Sequence, residues 1–564
     1  MRPPTAQFAF VDALPLVNHF LGRLRLEAFL ESYLPPAARR PKVSSARALM
    51  VLVRNLVLSR EPLYGVGDWA RRFDGSLLGL SPLERDALND DRVGRALDRL
   101  FDADRPSLVL SVVVRAVREF GLRLDRFHND STSVSFQGRY RMADGRPRRG
   151  KPTLRITFGH NKDHRPDLRQ LLWSLTVSAD GAVPVHYQAL DGNTTDDKTH
   201  LTTWKVLCVL AGRADFLYVA DSKLCTRPNM TLIVAQGGRF LTVLPASRKE
   251  EKRFHDWIQT HEVPWKEVLR RPLGKKRPPD VFRAYLDPAG SQEGYRIVWY
   301  HSTEKEKRDA QERDDKLDRT IRKLQDLRTR LASPRSRLRT RTKVDREVEE
   351  ILEALGMDRF LEVEVQRKED KQFRQEKRGR PGPNTRYRRK VRVRFDLGWK
   401  FKEDALAYDI KTDGIFPLIT SDKKLTLRHI LEIYKRGQPT VEQRHHTLKS
   451  TLDVAPQFLK SVSRIEAFLC VYFLALLVNA LVEREMRQAM KRRRLKEIPI
   501  YHEGRFCKHP TTEQILKAFD DLVVQRISGP GPARHVSQPT LTRFQKRILR
   551  LLGVPAQAYR IDSV

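Results

Sequence analysis

The apolar run AFLCVYFLALLVNALV, at 467–482, places the strongest constraint on the fold. It is 16 residues long, contains Asn479 and is followed by Glu483, Arg484 and Glu485. A membrane-spanning helix needs about 20 consecutive apolar residues to cross the bilayer core. The run therefore predicts a helix buried in the core of a large soluble domain, and we expect no contact with a membrane.

The charge of the chain favours a nucleic-acid partner. Its 564 residues, 40% of them apolar, are enough for roughly three to four domains of about 150 residues. The 107 Lys and Arg residues exceed the 70 acidic ones by 37. A phosphate backbone neutralises such an excess and releases counterions as it does so. A merely basic or ribosome-associated protein is the alternative. The four cysteines include no C-x-x-C pair, which argues against a zinc ribbon and fits a reducing cytoplasm.

Residues 1–120 are predicted to be a helical N-terminal domain. Helical spacing of apolar residues begins at Ser45 in SARALMVLVRNLVLS and at Asp90 in DDRVGRALDRLFDA. In the second run Arg92, Arg95 and Arg99 form a basic face. This pattern fits a DNA-binding module and, equally, a helical dimerisation or packing domain.

Residues 121–250 are predicted to be a mixed α/β domain. Five runs rich in β-branched and aromatic residues predict strands: TLRITFGHN, QLLWSLTVSADG, VPVHYQALDG, DFLYVADS and RFLTVLPAS. DKTHLTTWKVLCVLAG, from Asp197, predicts a helix between two of them. Antiparallel strands followed by a strand–helix–strand unit are typical of ribonuclease-H-like cores.

An insertion is predicted at 251–400. Leucines around 317–331 and apolar residues at 344–355 recur at helical spacing on either side of Pro334, which indicates a charged helical hairpin. The stretch after it combines a Pro/Gly turn with alternating cations and contains no acid from 377 to 395. Its phosphate-contact candidates are Arg386, Arg388, Arg389, Lys390, Arg392 and Arg394. A solvated charged tip is the alternative. Residues 401–490 return to helices, and 491–564 are predicted to be a basic helical C-terminal region containing KRRRLK at 491–496.

Three carboxylates have a setting suited to holding divalent cations, for which oxygen is the preferred ligand. Asp130 lies in a polar DST interruption just ahead of the strand-like SVSF, and Asp221 directly follows the apolar run FLYVA. Glu442 lies two helical turns before Lys449 on the same helix face. Taken singly, each acid is also what a turn, a helix cap or a surface ion pair would contain.

Other acids and histidines compete for these roles. Spacing alone does not exclude Glu432 and Glu466 as the third acid. His445 and His446 fit solvated packing. The i, i+4 spacing of His160 and His164 suits a zinc hydrolase, but HNKDH lies in a predicted loop and the chain has no H-E-x-x-H.

Several blocks, in this order, resemble the DDE transposases of bacterial insertion sequences that carry a Tyr-Arg-Glu-Lys signature. They are DST at 130–132, GHNKDHRPDLRQL at 159–171, DGNTTD at 191–196, VADSK at 219–223 and YKRGQPTVEQRHHTLKS at 434–450. NDDRVGRALDRLF in the N-terminal domain resembles one branch of the same group. Six residues separate Glu442 from Lys449, as the signature requires, but Gly437 occupies the position where it expects Arg.

The resemblance implies an α/β fold with a ribonuclease-H-like catalytic core at 121–250 and 401–490, interrupted by the insertion domain. It implies that Asp130, Asp221 and Glu442 bind two Mg²⁺ or Mn²⁺ ions. Cleavage at a transposon end would free a 3′-hydroxyl that joins to target DNA. The partners would be terminal inverted repeats, target DNA and a second copy of the chain in a synaptic dimer in the bacterial nucleoid. Further phosphate contacts would come from Tyr434, Lys435, Arg436 and Lys449.

Two other hypotheses stay open at this point. One is an inactive or domesticated transposase that binds DNA without cutting it. The other is a structural nucleic-acid protein, including an RNA-binding one, in which the three acids only cap helices and turns.

Overall fold

A computed structural model describes residues 5–37, 41–195, 199–274, 277–333, 335–454, 459–501, 503–528 and 535–561. Internal contacts divide the chain into two compact units. The first comprises Met1–Thr242, Thr420–Lys423 and His429–Val564, and the second comprises Val243–Ile419 and Lys424–Arg428. The insertion predicted at 251–400 falls within the second unit, while the other domain boundaries stay predictions.

The N-terminal part of the first unit is helical, as its apolar spacing predicts, apart from one leading strand. Its elements are β1 (Thr5–Phe10), α1 (Leu14–Leu24), α2 (Leu26–Tyr33), α3 (Ser45–Leu58), α4 (Val66–Arg72), α5 (Gly75–Leu78), α6 (Pro82–Ala87), α7 (Asp90–Asp102) and α8 (Arg105–Phe120). The sequence pattern does not indicate β1.

Helix α7 buries the apolar face that its spacing predicts, with the Asn89 side chain accepting a hydrogen bond from the backbone of Arg92 at its start. The basic face is less available than the sequence suggests. The guanidinium of Arg99 donates to the carbonyl of Pro35, and that of Arg92 donates to the carbonyl of Ala87. Arg95 pairs with Asp91 one turn earlier on the same helix, so all three arginines are engaged within the protein.

Five strands of a mixed sheet follow in the first unit, accompanied by helices α9 (Thr199–Ala211) and α10 (Arg227–Ala235). The strands are β2 (Arg126–Phe136), β3 (Arg169–Ser178), β4 (Val183–Asp191), β5 (Leu217–Val219) and β6 (Arg239–Val243). Their order across the sheet is β4-β3-β2-β5-β6. β3 pairs antiparallel with β2 and β4, whereas β5 pairs parallel with β2 and β6. The sheet and its helices confirm the mixed α/β class.

Two predictions about this sheet are wrong. TLRITFGHN forms no strand, because β2 and β4 occupy both edges of β3 and only an isolated bridge joins Thr157 to Gln170. Asp130 does not precede a strand either. It lies inside β2, opposite Leu175 of β3.

The second unit combines short strands with a helical hairpin and a long β-hairpin. Its elements are α11 (Lys249–Thr260), β7 (Lys266–Arg271), β8 (Asp280–Leu286), β9 (Arg296–Ser302), α12 (Thr303–Ala332), α13 (Arg341–Glu353), β10 (Leu361–Gln375), β11 (Tyr387–Phe401), α14 (Glu403–Thr412) and β12 (Ile415–Thr420). β8 pairs antiparallel with both β7 and β9.

Helices α12 and α13 confirm the predicted helical hairpin. Leu327 and Leu331 of α12 pack with Val344 and Val348 of α13, and Phe395 of β11 completes this core. The antiparallel hairpin of β10 and β11 therefore has one face buried against the helices, and its outer end carries the basic stretch.

The C-terminal part of the first unit surrounds the long apolar helix. Its elements are α15 (Leu427–Val454), α16 (Val462–Arg492), α17 (Thr512–Lys517), β13 (Val523–Ser528), β14 (His535–Ser537) and α18 (Arg543–Leu552). Length and composition alone would let α16 cross a membrane, but its whole apolar window is buried. It thus takes the buried position predicted from the run at 467–482. β13 pairs antiparallel with β1 on one side and with β14 on the other.

Candidate active site

The parallel register of β2 and β5 brings two of the predicted acids side by side. His128 of β2 pairs with Val219 of β5. Asp130 and Asp221 each follow that pair by two residues, and neighbouring strands lie about 4.8 Å apart. Because side chains alternate along a strand, Asp130 also projects from the same face as His128.

Backbone contacts fix the position of Asp221 at the end of β5. Its side chain accepts a hydrogen bond from the backbone of Lys223 at 3.1 Å, so it caps the short turn that follows. Its own carbonyl accepts from the hydroxyl of Thr242. The imidazole of His200 lies 3.9 Å from its carboxylate.

Helix α15 carries the third acid and packs directly against β2. A Cβ atom added at Gly437 would lie 1.8 Å from Cε1 of His128. One residue on, the Gln438 amide donates to the carbonyl of Asn129 at 3.4 Å. There is no room for an arginine at position 437, which explains in physical terms why the chain departs from the signature there. Glu442 follows on the same helix with its side chain exposed.

The three carboxylates interact electrostatically. The pKa of Asp130 is raised from 3.8 to about 7, first because its carboxyl is buried and then because Asp221 and Glu442 repel its negative charge. The nearby Lys162 ammonium acts in the opposite direction. The pKa of Tyr434 is also raised, by burial and by the same three carboxylates. The predicted acids thus share one electrostatic environment, although they lie far apart in the sequence.

These acids fit divalent cations in kind and in charge, because carboxylate oxygens are the ligands that Mg²⁺ and Mn²⁺ prefer. The three carboxylates do not, however, form a complete ion site in this structure. In the part of the chain that the structure describes, no three His, Cys, Asp or Glu side chains converge on a single ion position. The same finding gives no support to a zinc site at His160 and His164, which lie in a turn between β2 and β3.

Two buried histidines lie at the site that the sequence pattern did not assign to it. His445, interpreted as solvated packing, is buried, and its Nε2 lies 3.7 Å from the Asp130 carboxylate. Burial and the charges of Lys162 and Lys449 lower its pKa to about 3. Burial likewise lowers the pKa of His128 to about 3. Both imidazoles are therefore neutral near pH 7. Since β2 and α15 form from separate regions, local spacing gave no signal for either.

Two of the phosphate-contact candidates on α15 lie against nearby acids. Lys449 donates to the carboxylate of Asp163, and Arg436 lies 3.6 Å from Glu432. Glu432 is thus occupied at least in part by an ion pair. The rival acid Glu466 accepts from Arg105 at 3.0 Å and from the backbone of Leu154 at 2.8 Å, which assigns it a structural role. In the DGNTTD block, Asp196 lies outside the described residues.

In the second unit, β11 presents the predicted basic stretch on an exposed hairpin end. Strand β10 supplies acids that the sequence placed far away: Arg394 lies 3.5 Å from Asp370. The expectation of a stretch without neighbouring acids is therefore wrong at this end. Nearer the tip, Arg388 faces Arg374 across the ladder, so the positive charge there is concentrated.

Comparison with known proteins gives limited information. Residues 6–114 match the profile of a domain of unknown function, DUF4277. No curated protein matches the chain. Among solved structures, the piggyBac transposase in a synaptic complex with hairpin DNA is similar at 9% sequence identity, covering 83% of this chain and 73% of that one. The TM-score of 0.35 does not establish a shared fold.

Proposed function

We propose that this chain is a metal-dependent DNA transposase of the DDE type with a ribonuclease-H-like core. The supporting observation is the carboxylate site. Asp130 and Asp221 occupy matching positions on parallel strands, and the charge of Glu442 acts on Asp130. Three like charges in a partly buried site repel one another, and bound cations would relieve that repulsion.

In this proposal Asp130, Asp221 and Glu442 hold two Mg²⁺ or Mn²⁺ ions. When bound, the ions activate the attacking oxygen and stabilise the leaving oxygen of a phosphodiester. The side chains must move closer together as they bind, since they do not yet converge on one ion position. Asp130 must also be deprotonated to act as a ligand, so metal binding should strengthen as the pH rises through about 7.

Two neighbouring side chains shape the electrostatic environment of Asp130. His445, which is neutral near pH 7, lies 3.7 Å from the Asp130 carboxylate and adds no positive charge there. The Lys162 ammonium donates to the carbonyl and the hydroxyl of Ser131 at 2.8 and 2.6 Å. Tyr434, Lys435, Arg436 and Lys449 are proposed to contact phosphates near the cleaved end. Lys449 would exchange its contact with Asp163 for a DNA phosphate.

The proposed substrates are the terminal inverted repeats and target DNA. One strand is cleaved to release a 3′-hydroxyl, which then attacks a target phosphodiester. A dimer would hold both ends in the bacterial nucleoid. The basic end of β11 is proposed as a further backbone contact.

The test is nicking of a supercoiled plasmid that carries the gene's own genomic segment with its flanks. With Mn²⁺ we expect the full chain to produce open circles and Asp130→Ala to produce none. Asp221→Asn preserves a side chain that can cap the turn but removes the charge, and it should lose at least about 100-fold, since even outer partners of a metal ligand cause losses of 10–100-fold. The matched control is Asp215→Asn, which changes an exposed aspartate near the start of β5. Equal nicking by Asp221→Asn and the control would refute the proposal.

The absence of a converged three-ligand cluster among the described residues favours one second candidate, a transposase-derived protein that binds DNA without cutting it. It predicts DNA binding without Mn²⁺-dependent nicking. Wild-type and Asp130→Ala chains would then be indistinguishable in the plasmid assay.

A further inference from the structure

Helix α18 has an apolar face and a basic face. Ile548, Leu549, Leu551 and Leu552 are buried. The exposed side chains at positions 543, 546, 547 and 550 are all cations, spaced so that they share one side of the helix: Arg543, Lys546, Arg547 and Arg550. The Thr542 side chain and Gln545 form a capping box that fixes where the helix starts.

These four cations line a cavity of about 440 Å³. Arg493, which directly follows the end of α16, supplies a fifth cation, and two leucines complete the lining. No carboxylate of the described part of the chain lines the cavity. Of the described acids, none lies within ion-pair distance of the five cations.

A second cavity, on α16, shows what a structural use of arginine is like in this protein. It measures about 530 Å³ and is lined by five cations, including Arg484 and Arg487, together with the carboxylate of Asp180. Arg484 donates to the Asp180 carboxylate at 2.6 Å and to the carbonyl of Phe120 at 2.9 Å. Its charge is satisfied within the fold. None of the described residues partners the cations of the α18 cavity in this way, so the five cations repel one another and attract an external anion.

We propose that the α18 cavity binds the phosphate backbone of double-stranded DNA, as a contact separate from the carboxylate site. From Arg543 to Arg550 the helix rises by about 10 Å, which is close to the rise of three base pairs along one strand. A row of cations over that length fits successive phosphates better than it fits a single small anion. The choice of DNA rests on the proposed function, whereas the anion site rests only on the cavity.

The test measures binding of a fluorescent 30-base-pair duplex of arbitrary sequence by anisotropy at several salt concentrations. Every variant carries Asp130→Ala, so that no cleavage occurs and the result does not depend on catalysis. Lys546→Glu is compared with Lys205→Glu, an exposed lysine on α9 with the same change of charge. We expect Lys546→Glu to weaken binding about tenfold at low salt and to reduce the slope of log K against log salt by about 0.9, as loss of one phosphate contact would. Lys205→Glu should change neither by more than about twofold.

Two outcomes would overturn the inference. One is that Lys546→Glu binds the duplex no worse than Lys205→Glu. The other is that an RNA duplex, or inorganic pyrophosphate as a competitor, occupies the cavity more tightly than the DNA. If duplex binding depends on Lys546 and the chain with Asp130 intact does not nick plasmid, this inference stands and only the catalytic proposal is rejected.

Discussion

Two groups of charged side chains lie along α15, and they differ in how their charges are balanced. Arg444, only 6% exposed, donates to Glu483 at 2.8 Å and to the carbonyl of Ala182 at 3.2 Å. The second group consists of Glu442, two residues before Arg444 on α15, together with Asp130 and Asp221. These three side chains carry like charges, and Asp130 is 19% exposed. The first group is paired within the fold, whereas the second gathers three acids beside the single ammonium of Lys162.

The difference separates charge used for structure from charge kept for a ligand. The buried Arg444–Glu483 pair links α15 to α16, and the bonds from Arg444 to the carbonyls of Gly181 and Ala182 link α15 to the turn between β3 and β4. Unpaired like charges raise the free energy of the folded protein, and they persist where binding of an opposite charge offsets that increase. The cavity at α18 likewise gathers like charges, but they are positive, and an anion would offset their repulsion.

Breaking the paired group should have the largest effect on stability. Glu483→Gln leaves the Arg444 guanidinium buried without its carboxylate, and we expect it to lower the free energy of unfolding by about 3–5 kcal/mol. Urea unfolding measures this change. The double variant Arg444→Met/Glu483→Gln removes both charges and should recover part of the loss. A single variant as stable as wild type would show that the pair is not structural.

The carboxylate site should give a smaller effect, one that depends on pH. The pKa of Asp130 is about 7 in the folded chain and about 3.8 when unfolded, so between these values the folded state binds more protons. Stability from this group is therefore full below about pH 4 and lost as pH rises to 7, by up to about 4 kcal/mol.

Asp130→Asn isolates this contribution, because His445, whose lowered pKa acts in the opposite sense below pH 6.5, is present in both proteins. In EDTA, the variant should gain stability relative to wild type from pH 4.5 to 7.5. Mn²⁺ should stabilise wild type more than the variant, most clearly at the higher pH. A difference that stays constant with pH would contradict the raised pKa.

The smallest effect should come from the contact that seats α15, and with it both charge groups, on β2. Gly437→Ala places a methyl group against the His128 ring, and we expect a loss of about 1–3 kcal/mol from overpacking. In a His128→Ala background the same change should be neutral or stabilising, since alanine favours the helix. Thermal unfolding of the four proteins in this cycle measures the coupling. An absence of coupling would mean that the helix is seated elsewhere.

The spacing of apolar residues and the capping residues predicted the helices that depend on them. Helix α7 starts at its Asn89 cap and buries the expected residues, and α16 is buried along the length of its apolar run. The strand expected at 153–161 failed because a free sheet edge is a tertiary property, and β3 has none. The neutralising acid Asp370 was missed because the register of β10 against β11 depends on a turn of unspecified length.

The three candidate acids were predicted by residue type, by setting and by resemblance, not by any local signal of proximity. Their common environment follows from the parallel register of β2 with β5 and from the packing of Gly437 on His128. Neither can be read from spacing. For the same reason Lys162 and His445, which shape the charge of Asp130, were not assigned to the site.

The pairing of β1 with β13 has a consequence for synthesis on the ribosome. Phe10 pairs with Val523, so translation must continue for 513 residues after β1 emerges before its partner exists. At 5–20 residues per second this takes about 25–100 s, during which the strand edge of β1 lacks that partner. Chains that terminate before Val523, or an excised fragment covering residues 6–114, would keep that edge open and should associate through it.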